Sequence, residues 1–212
     1  MPPRMATPAR PCYAPAMLVL SPEILERLRA YAALLQTWTR HINLISQSDA
    51  ANPAHLWARH IEDSLRLIPH IPPNTPRIID LGSGAGLPGL VLAIATGIPA
   101  DLIESDTRKA AFLREAIRLT QAPAQVHHTR IESADLPPAP LVTARALAPL
   151  PRLLHLATPH LAPGGTLLLH KGAQAQTEIE AARATWSFTV QAHGPATSPI
   201  LAITNPALLI HD

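Results

Sequence analysis

A short apolar segment that leads into a glycine-rich loop, Arg77 to Gly89, constrains the fold of this 212-residue chain more than any other feature. Its first five residues are R-I-I-D-L, and the loop that follows is G-S-G-A-G-L-P-G. Isoleucine and leucine between turn residues favour a buried strand, whereas glycines let the backbone turn tightly and approach a ligand closely. The segment therefore predicts a strand, a ligand-binding loop and a helix over Leu87 to Ala95.

The alternation of short apolar runs with helical stretches continues to the end of the chain. Strands are predicted over residues 101–104, 125–127, 141–144 and 166–170, helices over 107–119, 150–158 and 177–185, and a closing pair of strands over 188–192 and 200–204. Such alternation is typical of a parallel sheet with helices on both faces. We therefore expect an α/β fold with a doubly wound, Rossmann-like sheet that is mostly parallel and has an antiparallel edge.

Two helices are predicted before this sheet. Ser21 and Pro22 are typical N-cap and first-turn residues, and apolar residues then recur every three or four positions up to Ile42. Asn52 and Pro53 start a second helix in the same way, and its polar face carries Arg59, His60, Asp63 and Ser64. Arg59 and Asp63 lie four residues apart, so they are expected to pair on that face.

Composition indicates a globular protein without a membrane span. The chain is 47% hydrophobic and 15% charged, and no run approaches the ~20 apolar residues that cross a bilayer. Its single cysteine, Cys12, cannot form an internal disulfide. We expect a cytoplasmic protein with a flexible proline-rich leader (1–20), a helical extension (21–71) and a cofactor-binding domain (72–212).

Two classes of cofactor compete for the glycine loop. Gly84 to Gly89 matches the dinucleotide pattern G-x-G-x-x-G, which is weak evidence alone and requires a helix N-terminus open to pyrophosphate. S-adenosylmethionine carries a sulfonium and an ammonium instead, and the acid Asp80 suits a cation better than a phosphate, unless it only caps the helix. Glu104 lies where an acid accepts hydrogen bonds from ribose hydroxyls. We expect S-adenosylmethionine on Asp80, Gly82, Gly84, Gly86 and Glu104, with a nicotinamide-dependent oxidoreductase as the alternative.

Several motifs resemble those of bacterial small-subunit ribosomal RNA methyltransferase G, also called the glucose-inhibited division protein B family. They are H-I-N-L-I-S at 41–46, R-H-I-E-D-S at 59–64, D-L-G-S-G-A-G-L-P-G at 80–89, R-K-A-A-F-L at 108–113, T-A-R-A at 143–146 and H-K-G at 170–172. In addition, L-A-P-G-G at 161–165 is similar to the turn before the fifth strand of many class I methyltransferases. The resemblance implies methylation of one guanine N7 in small-subunit (16S) ribosomal RNA. It also implies cofactor contacts at Gly82, Leu87, Ile131, Glu132 and Arg145.

The implied reaction needs no general base. Guanine N7 has a free lone pair and no proton, so it can attack the sulfonium methyl directly, and catalysis comes from holding the two atoms in line. No catalytic residue is predicted on this basis, and the histidines do not fall into metal-ligand spacings. The candidates for contact with the RNA are His60, Ser64, Arg108, Lys109, Arg130 and Lys171. The expected partner is small-subunit rRNA or the subunit itself, bound by a monomer; a non-catalytic RNA-binding module is the remaining alternative.

Overall fold

The computed structural model describes residues 19–209, which contain one seven-stranded sheet flanked by helices. The strands are β1 (Ile78–Leu81), β2 (Ala100–Glu104), β3 (Ala124–His128), β4 (Ala139–Arg145), β5 (Leu161–His170), β6 (Trp186–His193) and β7 (Ile200–Leu208). Their order is β3-β2-β1-β4-β5-β7-β6. The first five are parallel, whereas β7 runs antiparallel to both β5 and β6. The predicted fold class, with its antiparallel edge, is confirmed.

The helices fall into an N-terminal group and a group between the strands. They are α1 (Pro22–Thr39), α2 (Gln47–Ala51), α3 (Pro53–Leu56), α4 (Asp63–Leu65), α5 (Gly89–Thr96), α6 (Thr107–Thr120), α7 (Leu150–Ala157) and α8 (Ala175–Arg183). As predicted, Ser21 caps α1, since its side chain accepts a hydrogen bond from the Ile24 N–H. A π-helical turn, Trp57–Glu62, joins α3 to α4.

The sheet separates two hydrophobic cores. Ile78 of β1 belongs to the core that also contains residues of α1, α5 and α6, whereas the next residue, Ile79, belongs to the core beneath α7 and α8, as the alternation of side chains along a strand requires. Tyr31 of α1 and Phe112 of α6 pack in the first core with their ring centroids 6.3 Å apart. The helical extension therefore shares its core with the sheet. The division at residues 20 and 71 stays a prediction, and most of the leader lies outside the described residues.

Three local expectations were wrong. The second helix contains the unpredicted π-helical turn, and Arg59 pairs with Asp49 (3.6 Å) rather than with Asp63, because the turn changes the spacing at which side chains share a face. The helix after the glycine loop begins at Gly89 rather than Leu87. Strand β5 begins at Leu161, before the predicted turn, and its pairing shifts register between Ala139 and Leu141 of β4.

No helix within residues 19–209 is long and apolar enough to cross a membrane.

Candidate active site

The glycine loop after β1 depends on its glycines for two different reasons. Gly82, Gly84 and Gly86 have φ values of +62°, +55° and +86°, a region that side chains rarely tolerate. A Cβ on Gly82 would also lie 2.6 Å from Leu147 Cδ1, and one on Gly86 would lie 2.8 Å from Leu90 Cβ. Gly84, by contrast, borders open space, since a Cβ there would have only the Gly82 carbonyl oxygen within 4 Å. The loop is therefore packed at both ends and exposed to a cavity in the middle.

The carboxylate of Glu104, at the end of β2, fixes the loop against the neighbouring strand. Its Oε2 accepts a hydrogen bond from the Gly84 N–H (2.8 Å), and its Oε1 accepts one from the Asp106 N–H (2.7 Å). Asp106 in turn caps α6, accepting from the N–H groups of Arg108 and Lys109. Glu104 thus satisfies the Gly84 amide, and its negative charge beside the loop disfavours a phosphate there.

A cavity of about 330 Å³ lies between this loop and the ends of β2 and β4, within the size range of small-molecule sites. It is lined by Gly82, Gly84, Ile103, Glu104, Ser105, Lys109, Thr129, Arg130, Ile131, Glu132, Ala146, Leu147 and Leu156. The isoleucine and leucine side chains provide an apolar wall that suits an adenine ring, and Glu104 offers acceptors for ribose hydroxyls. These residues therefore fit the nucleoside part of S-adenosylmethionine. We call this space the cofactor cavity.

Asp80, in β1, lies behind the loop and is fully buried against the first residue of α5. Burial raises the pKa of its carboxyl to about 6, although hydrogen bonds from Thr143, Ser83 and the Gly89 backbone oppose the shift. Thr143 Oγ1 donates to Asp80 Oδ1 (2.6 Å), and a Cβ on Gly89 would lie 2.8 Å from Oδ2. The carboxylate therefore lies against the first residue of α5, where its charge would repel a pyrophosphate. That repulsion argues against the nicotinamide alternative.

The π-helical turn covers a polar cluster at the ends of β4 and β5. Arg145 Nη2 donates to the Arg59 carbonyl oxygen and to His60 Nδ1, both at 3.0 Å, which leaves the His60 Nε2–H to donate to Asp49 Oδ2 (3.2 Å). Burial and the nearby Arg145 lower the pKa of His60, although Asp49 opposes the shift, and this favours the neutral imidazole. Asp63 Oδ2 lies 3.7 Å from Arg145 Nη1. These contacts attach the N-terminal extension to the edge of the sheet where ligands bind.

His170, at the end of β5, belongs to the same cluster. Its Nδ1 lies 3.6 Å from Asp63 Oδ2, and burial lowers the pKa of its imidazole despite that carboxylate. Neither ring nitrogen has a hydrogen-bond partner within the described part of the chain, and the same holds for Arg145 Nη1 and Asp80 Oδ2. The side chains of Asp80, Arg145 and His170 thus leave unmet hydrogen-bonding capacity on one side of the sheet.

The structure brings together some of the predicted cofactor residues and separates others. Those that line the cofactor cavity are Gly82, Gly84, Glu104, Ile131 and Glu132; those outside its walls are Asp80, Gly86, Leu87 and Arg145. Gly86 and Leu87 face the core, because the loop turns back toward α5. The individual cofactor contacts stay predictions.

The predicted substrate residues are also divided. Lys109 and Arg130 line the cofactor cavity, and Arg108, next to them at the start of α6, is exposed; we call these three the basic rim. His60 and Ser64 are buried in packing contacts, since Ser64 Oγ donates to the His60 carbonyl oxygen (2.6 Å). Both side chains are therefore buried within the helical extension, and their contact with a substrate stays a prediction.

Lys171 borders a second cavity of about 330 Å³ at the ends of β4 and β5. Its lining residues are Ala146, Leu147, Ala148, Pro149, His170, Lys171, Gly172 and Glu178. Ala146 and Leu147 line both cavities, so the two spaces adjoin across the loop that follows β4. We call this one the substrate cavity.

Two residues at the site were not predicted from the sequence. The Tyr31 hydroxyl donates to the carbonyl oxygen of Ala85 in the glycine loop, and Glu178 of α8 lines the substrate cavity. A tyrosine on the apolar face of α1 looks like an ordinary core residue, and only the fold shows that its hydroxyl reaches a residue 54 positions away. Among residues 19–209, no group of three or more His, Cys, Asp or Glu side chains is placed to hold a metal ion.

The sheet order and the position of the glycine loop are those of the class I methyltransferase fold. The O-methyltransferase from Bacillus cereus, solved in complex with SAH, superposes with a TM-score of 0.54 at 13% identity over 89% of this chain and 93% of that one. The ribosomal protein L11 methylase from Lactobacillus delbrueckii subsp. bulgaricus superposes with a TM-score of 0.56 at 16% identity, over 69% and 78% of the two chains. At these identities the likeness shows the fold alone.

Sequence comparison identifies the family. The model of the rRNA small subunit methyltransferase G family matches residues 24–198, so the chain belongs to this family. A relative named ribosomal RNA small subunit methyltransferase G from Granulibacter bethesdensis is 48% identical over 189 residues, 89% of this chain and 87% of that protein. One of the same name from Acidiphilium cryptum is 54% identical over 165 residues, 77% and 76% of the two chains. The predicted family and its cofactor, S-adenosylmethionine, are confirmed.

Proposed function

We propose that this chain transfers the methyl group of S-adenosylmethionine directly to N7 of a guanine in small-subunit (16S) rRNA, without a general base. Membership of the rRNA small subunit methyltransferase G family makes it an rRNA methyltransferase. The observation that carries the finer proposal is the pair of adjoining cavities, which share Ala146 and Leu147. One has the lining that a cofactor nucleoside requires, and the other lies where an acceptor base can meet the methyl group.

Direct transfer agrees with the chemistry of the residues around these cavities. Guanine N7 carries no proton, so no group has to remove one, and rate acceleration comes from alignment and proximity. When bound, S-adenosylmethionine supplies an electrophilic methyl group on a sulfonium. The protein's part is to keep the cofactor and the base in place and to exclude water. Glu104 and the glycine loop would hold the cofactor in place, and the loop from Ala146 to Pro149 would lie between the cofactor and the base.

The basic rim supports contact with an RNA backbone. Lys109 and Arg130 lie at the wall of the cofactor cavity, and the side chain of Arg108 is 71% exposed. Cations in such positions attract phosphates and give binding that weakens with salt. We propose that small-subunit rRNA, free or assembled in the subunit, approaches across this rim, and that the protein acts as a monomer in the cytoplasm.

Methyl transfer from labelled cofactor tests this function. Small subunits and naked 16S rRNA from a strain that lacks the enzyme would be incubated with tritiated S-adenosylmethionine, and the modified nucleotide mapped and its nucleoside identified. We expect one labelled 7-methylguanosine. Label on another base or another guanine atom would overturn the proposed specificity. Tight cofactor binding with no transfer to either substrate would favour a non-catalytic RNA-binding module, and binding of NAD in place of S-adenosylmethionine would restore the oxidoreductase alternative.

A further inference from the structure

The substrate cavity contains an ion pair that the methyl transfer itself does not use. Lys171 Nζ, on a side chain that is 7% exposed, lies 2.6 Å from Glu178 Oε2 and donates to the Ala148 carbonyl oxygen at 2.9 Å. Glu178 Oε2 also accepts from the Leu150 N–H (2.7 Å), at the first residue of α7. Burying a lysine is costly unless it is paired, so this pair occupies a defined position at the wall of the cavity.

Each member of the pair keeps hydrogen-bonding capacity that its protein contacts do not use. An ammonium has three donors, and Lys171 uses two of them. Glu178 makes its contacts through Oε2, and within residues 19–209 no hydrogen bond reaches its Oε1. Because both residues line the cavity, one free donor and one free acceptor are available side by side to a ligand there.

We propose that Lys171 and Glu178 select guanine by reading its Watson–Crick edge, a role that rests on the proposed transfer to guanine N7. On that edge guanine presents the O6 acceptor beside the N1–H and N2–H₂ donors. Lys171 donates to O6, and Glu178 Oε1 accepts from N1–H and the 2-amino group. Adenine has an amino group in place of O6 and an unprotonated N1, so it would place a donor against the ammonium and an acceptor against the carboxylate.

The position of the pair also suits the reacting atom. N7 lies on the imidazole ring, remote from N1 and the 2-amino group, so a base whose N1–H and 2-amino group face Glu178 directs N7 away from that carboxylate. Ala146 and Leu147 line this cavity and also border the cofactor cavity, from which the methyl group would come. Enzymes that modify a base commonly draw it out of the stack and read this same edge inside a pocket. Leu147, Ala148 and Pro149 offer apolar surface for the face of the ring.

The proposal is tested by removing the 2-amino group from the target base and the carboxylate from Glu178, singly and together. Two 16S rRNAs would be prepared, one with guanosine and one with inosine, which lacks the 2-amino group, at the mapped target position. Both would be methylated by the full-length wild type and by Glu178→Gln, and kcat/KM compared. We expect the wild type to prefer guanosine roughly 10-fold or more, as a bidentate contact to a base does. The variant is expected to show a preference below about 2-fold.

A purely structural role for Glu178 gives a different result. If it only fixed α7 and Lys171, Glu178→Gln would lower kcat/KM on both RNAs by the same factor and leave the guanosine preference intact, which would overturn the proposal. Glu178→Asp keeps the carboxylate and measures the same ratio if the glutamine variant folds poorly. Glu180→Gln, an exposed change on the same helix, is the matched control and should retain the wild-type preference. Absence of transfer by the wild type would refute the proposed function instead.

Discussion

The buried carboxylate of Asp80 gives a stability prediction that tests how the cofactor loop is built. The residue is fully buried, and its pKa is raised from 3.8 to about 6, chiefly because burial disfavours the charged form. In Asp80→Asn the side chain keeps nearly the same shape but has no proton to lose. The change therefore separates the cost of the buried charge from the packing of the side chain against Gly89.

The sign and size of the effect follow from proton linkage. The folded protein holds the Asp80 proton more tightly than the unfolded chain does, so its stability falls as the pH rises from about 4 to about 6 and stays low above that. A pKa difference of about 2 units, at about 1.4 kcal/mol per unit, amounts to about 3 kcal/mol in all. Between about pH 4.5 and pH 8, wild type should lose about 2 kcal/mol of unfolding free energy relative to Asp80→Asn.

Urea unfolding at the two pH values, followed by tryptophan fluorescence, measures this difference. Every other titrating group is common to the two proteins, so its contribution cancels in the comparison. Asp135→Asn supplies the control, because Asp135 is exposed and its carboxyl lies outside the core. A wild-type–variant difference that stays constant within about 0.5 kcal/mol, or that changes in favour of wild type as the pH rises, would refute the reasoning.

Three further results are expected. Gly89→Ala should cost about 1–3 kcal/mol of unfolding free energy, because the added Cβ would overlap the side chain of Asp80. Gly172→Ala is the control: its Cβ would meet nothing within 4 Å, so the same urea titration should show little change. Tyr31→Phe removes the donor to the Ala85 carbonyl; it should cost about 1 kcal/mol and weaken cofactor binding by calorimetry, and an unchanged affinity would contradict a role in shaping the loop. Replacing the basic rim with glutamines should raise KM for RNA and reduce its dependence on salt, while an unaltered salt dependence would place the RNA elsewhere.

Features that depend on neighbouring residues were predictable from the sequence. The strand before the glycine loop, the acid at the end of β2 and the N-cap of α1 each arise from a few adjacent residues, and each lies where it was predicted. The parallel sheet was predictable from the alternation of strands and helices, because helices that follow each strand must pack on the faces of the sheet.

Features that depend on distant partners were not predictable. The resemblance implies a cofactor contact at Arg145, which stays a prediction, but its hydrogen bonds to the π-helical turn depend on the pairing of β1 with β4, which places it on the same side of the sheet as Asp80 and Thr143. The pairing of Lys171 with Glu178 needs α8 to pack beside β5. The π-helical turn, Trp57–Glu62, has no distinctive residue type that a sequence pattern could identify.

That turn makes the site sensitive to the length of the chain as much as to its chemistry. A π-helical hydrogen bond spans one residue more than an α-helical one. Removing one residue between Trp57 and Glu62 would therefore allow a more regular helix, but it would rotate His60 away from Asp49 and Arg145, whose contacts hold the extension over the strand ends. Such a variant would have a more regular helix, but its N-terminal extension would no longer be held in place over the ends of β4 and β5. The irregular backbone of residues Trp57–Glu62 is therefore what places His60 in contact with Asp49 and Arg145.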